Sequence, residues 1–138
     1  MVRLPRSTTV PEQLLDPVTT NIVGSLAYVR GDGLLAIVQV WIDWDGEHIL
    51  ASSPKGSYKG RVLRQRPQAA VSAVDPRDPW RFLNVSGHVI DIHEDEGLTF
   101  INRLAQRYMG GPYPRTGERE IFVIAVDRIA ASEGRSRR

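Results

Sequence analysis

Turn signals cut this chain into short extended runs, and that punctuation limits its fold more than any other feature. Residues 21–30 read as a strand that closes on Gly31, Asp32 and Gly33. Residues 34–42 follow and are apolar on both faces except at Gln39, a pattern suited to a strand buried on both sides, as in a barrel wall. Asp45-Gly46 is a strong hairpin signal, and residues 48–53 return as the next strand. Residues 68–75 form another. A proline-bounded loop, residues 75–79, leads into the alternating run 80–92, where Gly87 marks a bulge. Residues 120–131 are the last extended run.

Helical spacing is confined to a few places. Leu98, Ile101, Leu104, Ala105 and Tyr108 fall on one face of a helix over 94–108, which Gly110, Gly111 and Pro112 stop. The acidic residues 94–96 suit its N-terminus. Pro11 opens a short helix, and residues 55–66 read as a loop entering another short helix with Ser57 as N-cap. The expected class is mainly β: six strands in a barrel, with one long and two short helices. A chain of 138 residues fits a single domain spanning 1–138, with 1–10 and 133–138 expected to be flexible.

Composition excludes several classes. No apolar run reaches the roughly 20 residues that span a membrane, and the first fifteen residues hold no apolar core of a secretory signal. The chain has no cysteine, which removes disulfides, zinc-thiolate sites and cysteine nucleophiles and points to the cytoplasm. A net charge of +2 is too small to indicate nucleic acid, and no aromatic platform is interleaved with the basic residues. His48, His88 and His93 match no metal-ligand spacing. Asp43 and Asp45 flank Trp44 in a turn and read as solvated; Ser52, Ser53 and Ser57 have no nearby histidine to make a nucleophile.

The basic segment 55–66 is the feature with chemistry. It carries both of the chain's lysines, Lys55 and Lys59, with Arg61, Gly56 and Gly60, and it has no acidic residue. It lies where a strand gives way to a helix. Free N–H groups and the helix dipole attract phosphate there, and glycines admit an anion to the backbone. Its spacing is neither a Walker loop nor a dinucleotide fingerprint. From these residues alone, a phosphate site and a solvated basic loop both stand. Trp41, Trp44 and Trp80 could stack on a planar ligand, on a second subunit or within a core.

Taken together, residues 41–46, 54–67, 71–82 and 85–89 resemble the pyridoxamine-phosphate-oxidase-like, FMN-binding split-barrel superfamily, and within it the flavin and deazaflavin oxidoreductases. The resemblance covers residues 11–131. It implies a six-stranded split barrel that dimerises, with two cofactor sites at the interface. The cofactor ring would lie along Ile37, Val38, Gln39, Val40 and Trp41, and its phosphate against Ser52, Ser53, Lys55, Lys59, Gly60 and Arg61. Trp80 and Arg81 would close the site, with Tyr113 reaching it from the loop after the long helix. The implied activity is hydride transfer between FMN or coenzyme F420 and a small organic molecule, the cofactor supplying the reactive atom. The alternative is a carrier that binds a flavin, deazaflavin or haem without turnover. Relatives often have asparagine where Val62 stands and proline where Gln39 stands, and FMN and F420 both remain open.

Overall fold

The computed structural model describes residues 1–135. Seven strands form one antiparallel sheet: β1 (Gly24–Val29), β2 (Leu35–Val40), β3 (Ile42–Trp44), β4 (His48–Pro54), β5 (Gln68–Val74), β6 (Arg81–Glu94) and β7 (Arg119–Glu133), in the order β2-β1-β5-β6-β7-β4-β3. Its two edge strands, β2 and β3, are neighbours in sequence, separated only by Trp41. Two Cα steps span at most about 7 Å, so the sheet must curl until its edges meet at Trp41. The result is a mainly β half-barrel with a seam at that residue.

This arrangement accounts for the difference from six expected strands. The apolar run 34–42 is broken at Trp41, where the chain leaves one edge and begins the other. It is also not buried on both faces: Leu35 and Ile37 are 79% and 68% exposed, while Val40 turns into the core. Leu26, Ile42, Ile49, Leu83, Val85, Phe122, Ile124 and Ile129 fill the interior from five of the strands. Leu14 and Val18 close one end from a 3-10 turn (Glu12–Leu14) and the short helix α1 (Asp16–Thr19).

The helix α2 (Tyr58–Gln65) starts as the sequence indicates: Ser57 Oγ accepts from the Gly60 N–H at 3.2 Å. Gly87 does sit at a register shift in the β6–β7 ladder, and a Cβ there would lie 2.0 Å from the Ala125 carbonyl oxygen. The long helix begins later than its periodicity suggests. β6 runs to Glu94, a 3-10 turn covers Glu96–Leu98, and α3 spans Thr99–Met109, so Leu98 lies outside it. Both Asp95 carboxylate oxygens accept N–H bonds, from Phe100 and Ile101, each at 2.9 Å. Specific capping, rather than a general acidic run, starts this helix.

Asp43 is likewise not a solvated turn residue. It is 7% exposed and its carboxylate accepts from Arg103 (2.8 Å) and Arg107 (3.0 Å) of α3, clamping that helix to the seam. Residues 1–10, expected to be flexible, lie along β7: Val2 N–H donates to the Gly134 carbonyl at 2.8 Å and Leu4 N–H to that of Ala131 at 3.1 Å. Of the C-terminal stretch expected to be flexible, Glu133 ends β7 and 136–138 lie outside the described residues. Among the described residues no helix is long and apolar enough to cross a membrane.

Candidate functional site

A cavity of about 270 Å³ opens at the seam. Its floor and one wall come from Gln39, Val40 and Trp41, where the chain crosses between sheet edges; Val23 and Ile101 supply apolar sides. The opposite wall is polar and cationic: Ser52 from β4, Lys59 from α2, Tyr113 from the loop after α3, and Arg119 at the start of β7.

The aromatic groups are locked together. Trp41 stacks on Tyr108 with ring centres 5.1 Å apart and planes 7° from parallel, and it meets Tyr113 edge-on at 6.1 Å. The Tyr108 hydroxyl pins this cluster to the seam. It accepts from the Ile42 N–H at 3.2 Å and donates to the Ile22 carbonyl at 2.7 Å. Tyr113 is held through its own N–H, which donates to Asn102 Oδ1 at 2.9 Å.

The charges are not compensated in the same way. Arg119 Nε donates to Ser52 Oγ at 2.8 Å and Nη1 to the Tyr113 hydroxyl at 3.0 Å, both neutral oxygens. Among the described residues no carboxylate forms an ion pair with Arg119 or Lys59. Burial pushes the Lys59 ammonium below the ordinary lysine range, and the positive charge of Arg119 pushes it further the same way. Burial also lowers Arg119. Two half-buried cations, one of them bonded to neutral oxygen acceptors, can receive an anion, because an anion would relieve the desolvation and repulsion both suffer.

The other residues of the basic segment turn elsewhere. Lys55 Nζ reaches Glu118 (3.2 Å) and Glu94 (3.6 Å). Arg61 donates to the Gly56 carbonyl at 2.7 Å and lies over the Tyr58 ring. Arg64 is held by the buried Glu120 carboxylate, which also accepts from the Gly56 N–H at 3.3 Å and so fixes the loop before α2. Ser53 points inward, fully buried, and donates to Ser57 Oγ at 2.8 Å; Gly60 is buried in the first turn of α2. These residues build the wall from which Lys59 projects.

Of the residues expected along the ring, Gln39, Val40 and Trp41 line the cavity, while Ile37 and Val38 lie further up β2. Trp80 is exposed and does not line it; neither does Arg81, which is occupied by Asp16 and Asp75. Tyr113 lines it. Sequence reading missed Arg119. The signal was a basic residue opening the last strand a few positions after Tyr113, but its place beside Ser52 comes only from the β4–β7 register, which sets Arg119 opposite Pro54.

A curled antiparallel sheet cut at a seam, with a cation-lined cavity at the cut, defines a split-barrel protein. No protein-family model matches the sequence, and neither does any curated protein. Solved structures do match. An F420 reductase is 33% identical, over 87% of this chain and 98% of that one, with a TM-score of 0.79. The FAD and heme binding protein from Mycobacterium smegmatis is 19% identical over 95% of this chain and 74% of its own, with a TM-score of 0.67. A candidate pyridoxamine 5'-phosphate oxidase from Listeria innocua is 21% identical over 78% and 85%, with a TM-score of 0.60. The last two likenesses speak for the fold alone. The chain belongs to the pyridoxamine-phosphate-oxidase-like split-barrel family.

Proposed function

We propose that this protein is an oxidoreductase that holds FMN or the deazaflavin F420 at the seam and passes a hydride between its ring and a small organic molecule. The observation that carries this reading is the pair Lys59 and Arg119, two half-buried cations with no carboxylate ion pair among the described residues, beside the aromatic surface of Trp41. The donor set fits a phosphate-bearing cofactor. Lys59, Arg119 and the Ser52 hydroxyl would hold the phosphate; Val40 and Trp41 would bound the ring; Gln39 would offer a hydrogen bond at its edge. Val23 and Ile101 give that end of the cavity an apolar lining. The cofactor, when bound, supplies the hydride chemistry, so no side chain need be a nucleophile.

The test is titration of purified protein with FMN and F420, read by absorption and by quenching of Trp41. Lys59→Ala weakens binding by about 10- to 100-fold, the loss of one charge-assisted phosphate contact. Equal affinity in both proteins removes the assignment. Stopped-flow mixing of the reduced complex with candidate acceptors then separates an enzyme, which is oxidised, from a carrier, which is not.

We propose further that the partner is a second copy of this chain. About 270 Å³ is small for a cofactor site. Gln39, at the cavity's edge, shares the outer face of β2 with the exposed Leu35 and Ile37, and Leu34 just before that strand is exposed too. A second copy seated there would cover apolar surface that monomers rarely leave bare and would complete the site. Light scattering on wild type should give the mass of a dimer, and Ile37→Glu that of a monomer. A wild-type monomer at micromolar concentration overturns this.

A further inference from the structure

We propose that Ser25, which lies outside the cavity, fixes which way the Gln39 amide faces, so that Gln39 presents N–H donors to the ring edge and draws the bound cofactor toward its reduced form. The inference rests on the reading of the seam as the place of a flavin or deazaflavin ring. It adds a positioning residue, Ser25, and gives Gln39 an electronic role.

Three observations carry it. The first is register. Ser25 and Gln39 are direct partners across the β1–β2 ladder, so their side chains leave the same face of the sheet. The second is the bond between them: the Ser25 hydroxyl donates to Gln39 Oε1 at 3.0 Å. On the other side of β1, Ser72 stands opposite Ser25 but gives its own proton to Asn84 Oδ1 at 2.6 Å, so it does not draw Ser25 away. The third is what remains of the amide. With the carbonyl oxygen turned to Ser25, Gln39 has Nε2 left, with two N–H donors and no hydrogen-bond partner among the described residues. Gln39 lines the seam cavity and Ser25 does not. The donors are therefore the part of the amide available to a group in the cavity.

An N–H donor beside a flavin-type ring acts on its electronics. Reduction adds electrons to the ring and makes its N1 and carbonyl acceptors more basic. A donor there bonds the reduced form more strongly than the oxidised one. A carbonyl oxygen in the same place would do the opposite. The orientation of one amide thus carries a sign, and Ser25 sets it from a paired strand, where the backbone holds both side chains in place. The bond between them is exposed, so losing Ser25 costs only a fraction of what losing the amide costs. Proline, which relatives often carry at this position, has no side-chain donor.

The full chain is loaded with FMN, or with F420 if FMN does not bind, and the two-electron midpoint potential of the bound cofactor is read against dyes of known potential. The difference from the free cofactor gives the ratio of reduced-form to oxidised-form affinity. Gln39→Leu should lower that ratio about tenfold, a fall of about 30 mV. Gln39→Glu, which Ser25 can still hold but which brings no donor, should fall further. Ser25→Ala should lower the ratio about threefold, with oxidised-form affinity changed less than about twofold. Ser25→Thr, which keeps the hydroxyl, should match wild type, while Ser25→Val, of the same shape as Ser25→Thr, should fall as Ser25→Ala does. Melting temperature and light-scattering mass confirm that each variant keeps its fold and assembly, and the Thr and Val pair decides the matter if Ser25→Ala does not fold. A wild-type potential in Ser25→Ala or Ser25→Val, an equal fall in Ser25→Thr, or a potential in Gln39→Leu that stays or rises overturns the proposal. If neither FMN nor F420 binds the wild type, the cofactor reading fails and takes this proposal with it. If a cofactor binds and the Ser25 variants keep its potential, only the positioning of Gln39 fails.

Discussion

Arg81 and Arg119 are the same residue type in the same topological position: each is the first residue of one of the two long strands, β6 and β7. Their surroundings are opposite. Arg81 forms a two-pronged bond to Asp16 (2.8 and 2.6 Å), a further bond to Asp75 at 3.2 Å, and one to the Gln13 carbonyl at 2.8 Å. The hydrogen bond to Asp16 raises its pKa above the usual arginine range. Among the described residues Arg119 bonds only to neutral oxygens, and burial lowers its pKa. A saturated cation near the surface ties loops together. One held by neutral oxygens has N–H donors left over and no ion pair among the described residues. Partnering, more than residue type, separates scaffold from site in this molecule.

Removing each cation should therefore move stability in opposite directions. Arg81→Ala leaves the nearly buried Asp75 with only Arg77 and frees Asp16 from the β6 loop. Truncating one partner of such a network costs about 2–3 kcal/mol, below the fully buried case because Asp16 is partly exposed. That is a fall of roughly 10 °C in Tm for a domain of this size. Lys59→Gln in the ligand-free protein removes a desolvated charge and should raise Tm by about 1–3 °C. Calorimetry of both variants checks the pair, and the contrast breaks if Arg81→Ala melts within 2 °C of wild type or Lys59→Gln melts below it.

The same contrast shows in pH dependence. Asp16 is held low by its hydrogen bond from Arg81, and Asp75 by the Arg77 N–H and then the Arg77 side chain. Glu120 is also lowered, since Arg64 and the Gly56 N–H outweigh its burial. Groups lowered on folding stabilise the protein above their unfolded pKa values, near 4, and that contribution disappears as pH falls through the folded ones. Lys59 behaves in reverse. Between its lowered folded pKa and the ordinary 10.5, the native protein binds fewer protons than the unfolded chain, so stability from this group rises with pH. Urea unfolding from pH 3 to 10 should show a steep acid limb in wild type and Lys59→Gln alike, with the alkaline gain only in wild type. An identical alkaline limb in both would show that Lys59 is solvated.

What could be read in the sequence was local. The Ser57 cap, the glycine stop of α3 at Gly110 with φ 75°, and the Gly87 bulge each depend on a few neighbouring residues, and each is present. What could not be read was set by pairing across distance. The run 34–42 looks like one strand because its apolar residues are continuous; the break at Trp41 exists only because the sheet curls back on itself. Asp43 looked like a turn carboxylate because its arginine partners lie 60 and 64 positions away on α3. Arg119 joins Ser52 across 67 positions. The basic segment was found, but composition could not say which of its cations faces inward.

Lys55 is the sharpest test of that last point, and it has the smallest expected effect. By composition it is equivalent to Lys59: same residue type, same glycine-flanked segment. In the fold its ammonium is half exposed and bridges Glu118 and Glu94, and Glu118 raises its pKa. Exposed pairs of this kind contribute little to stability, because water and salt screen them. Lys55→Ala should change Tm by less than about 2 °C and cofactor affinity by less than about threefold, against the 10- to 100-fold loss expected for Lys59→Ala. Salt should reduce even this effect, because a solvated ion pair is screened within about 8–10 Å at physiological ionic strength while a half-buried cation is screened less. A loss in Lys55→Ala as large as that in Lys59→Ala would mean that Lys55 leaves its carboxylates when the ligand arrives. The anion receptor would then extend to the Glu94 and Glu118 rim instead of ending at the pair Lys59 and Arg119.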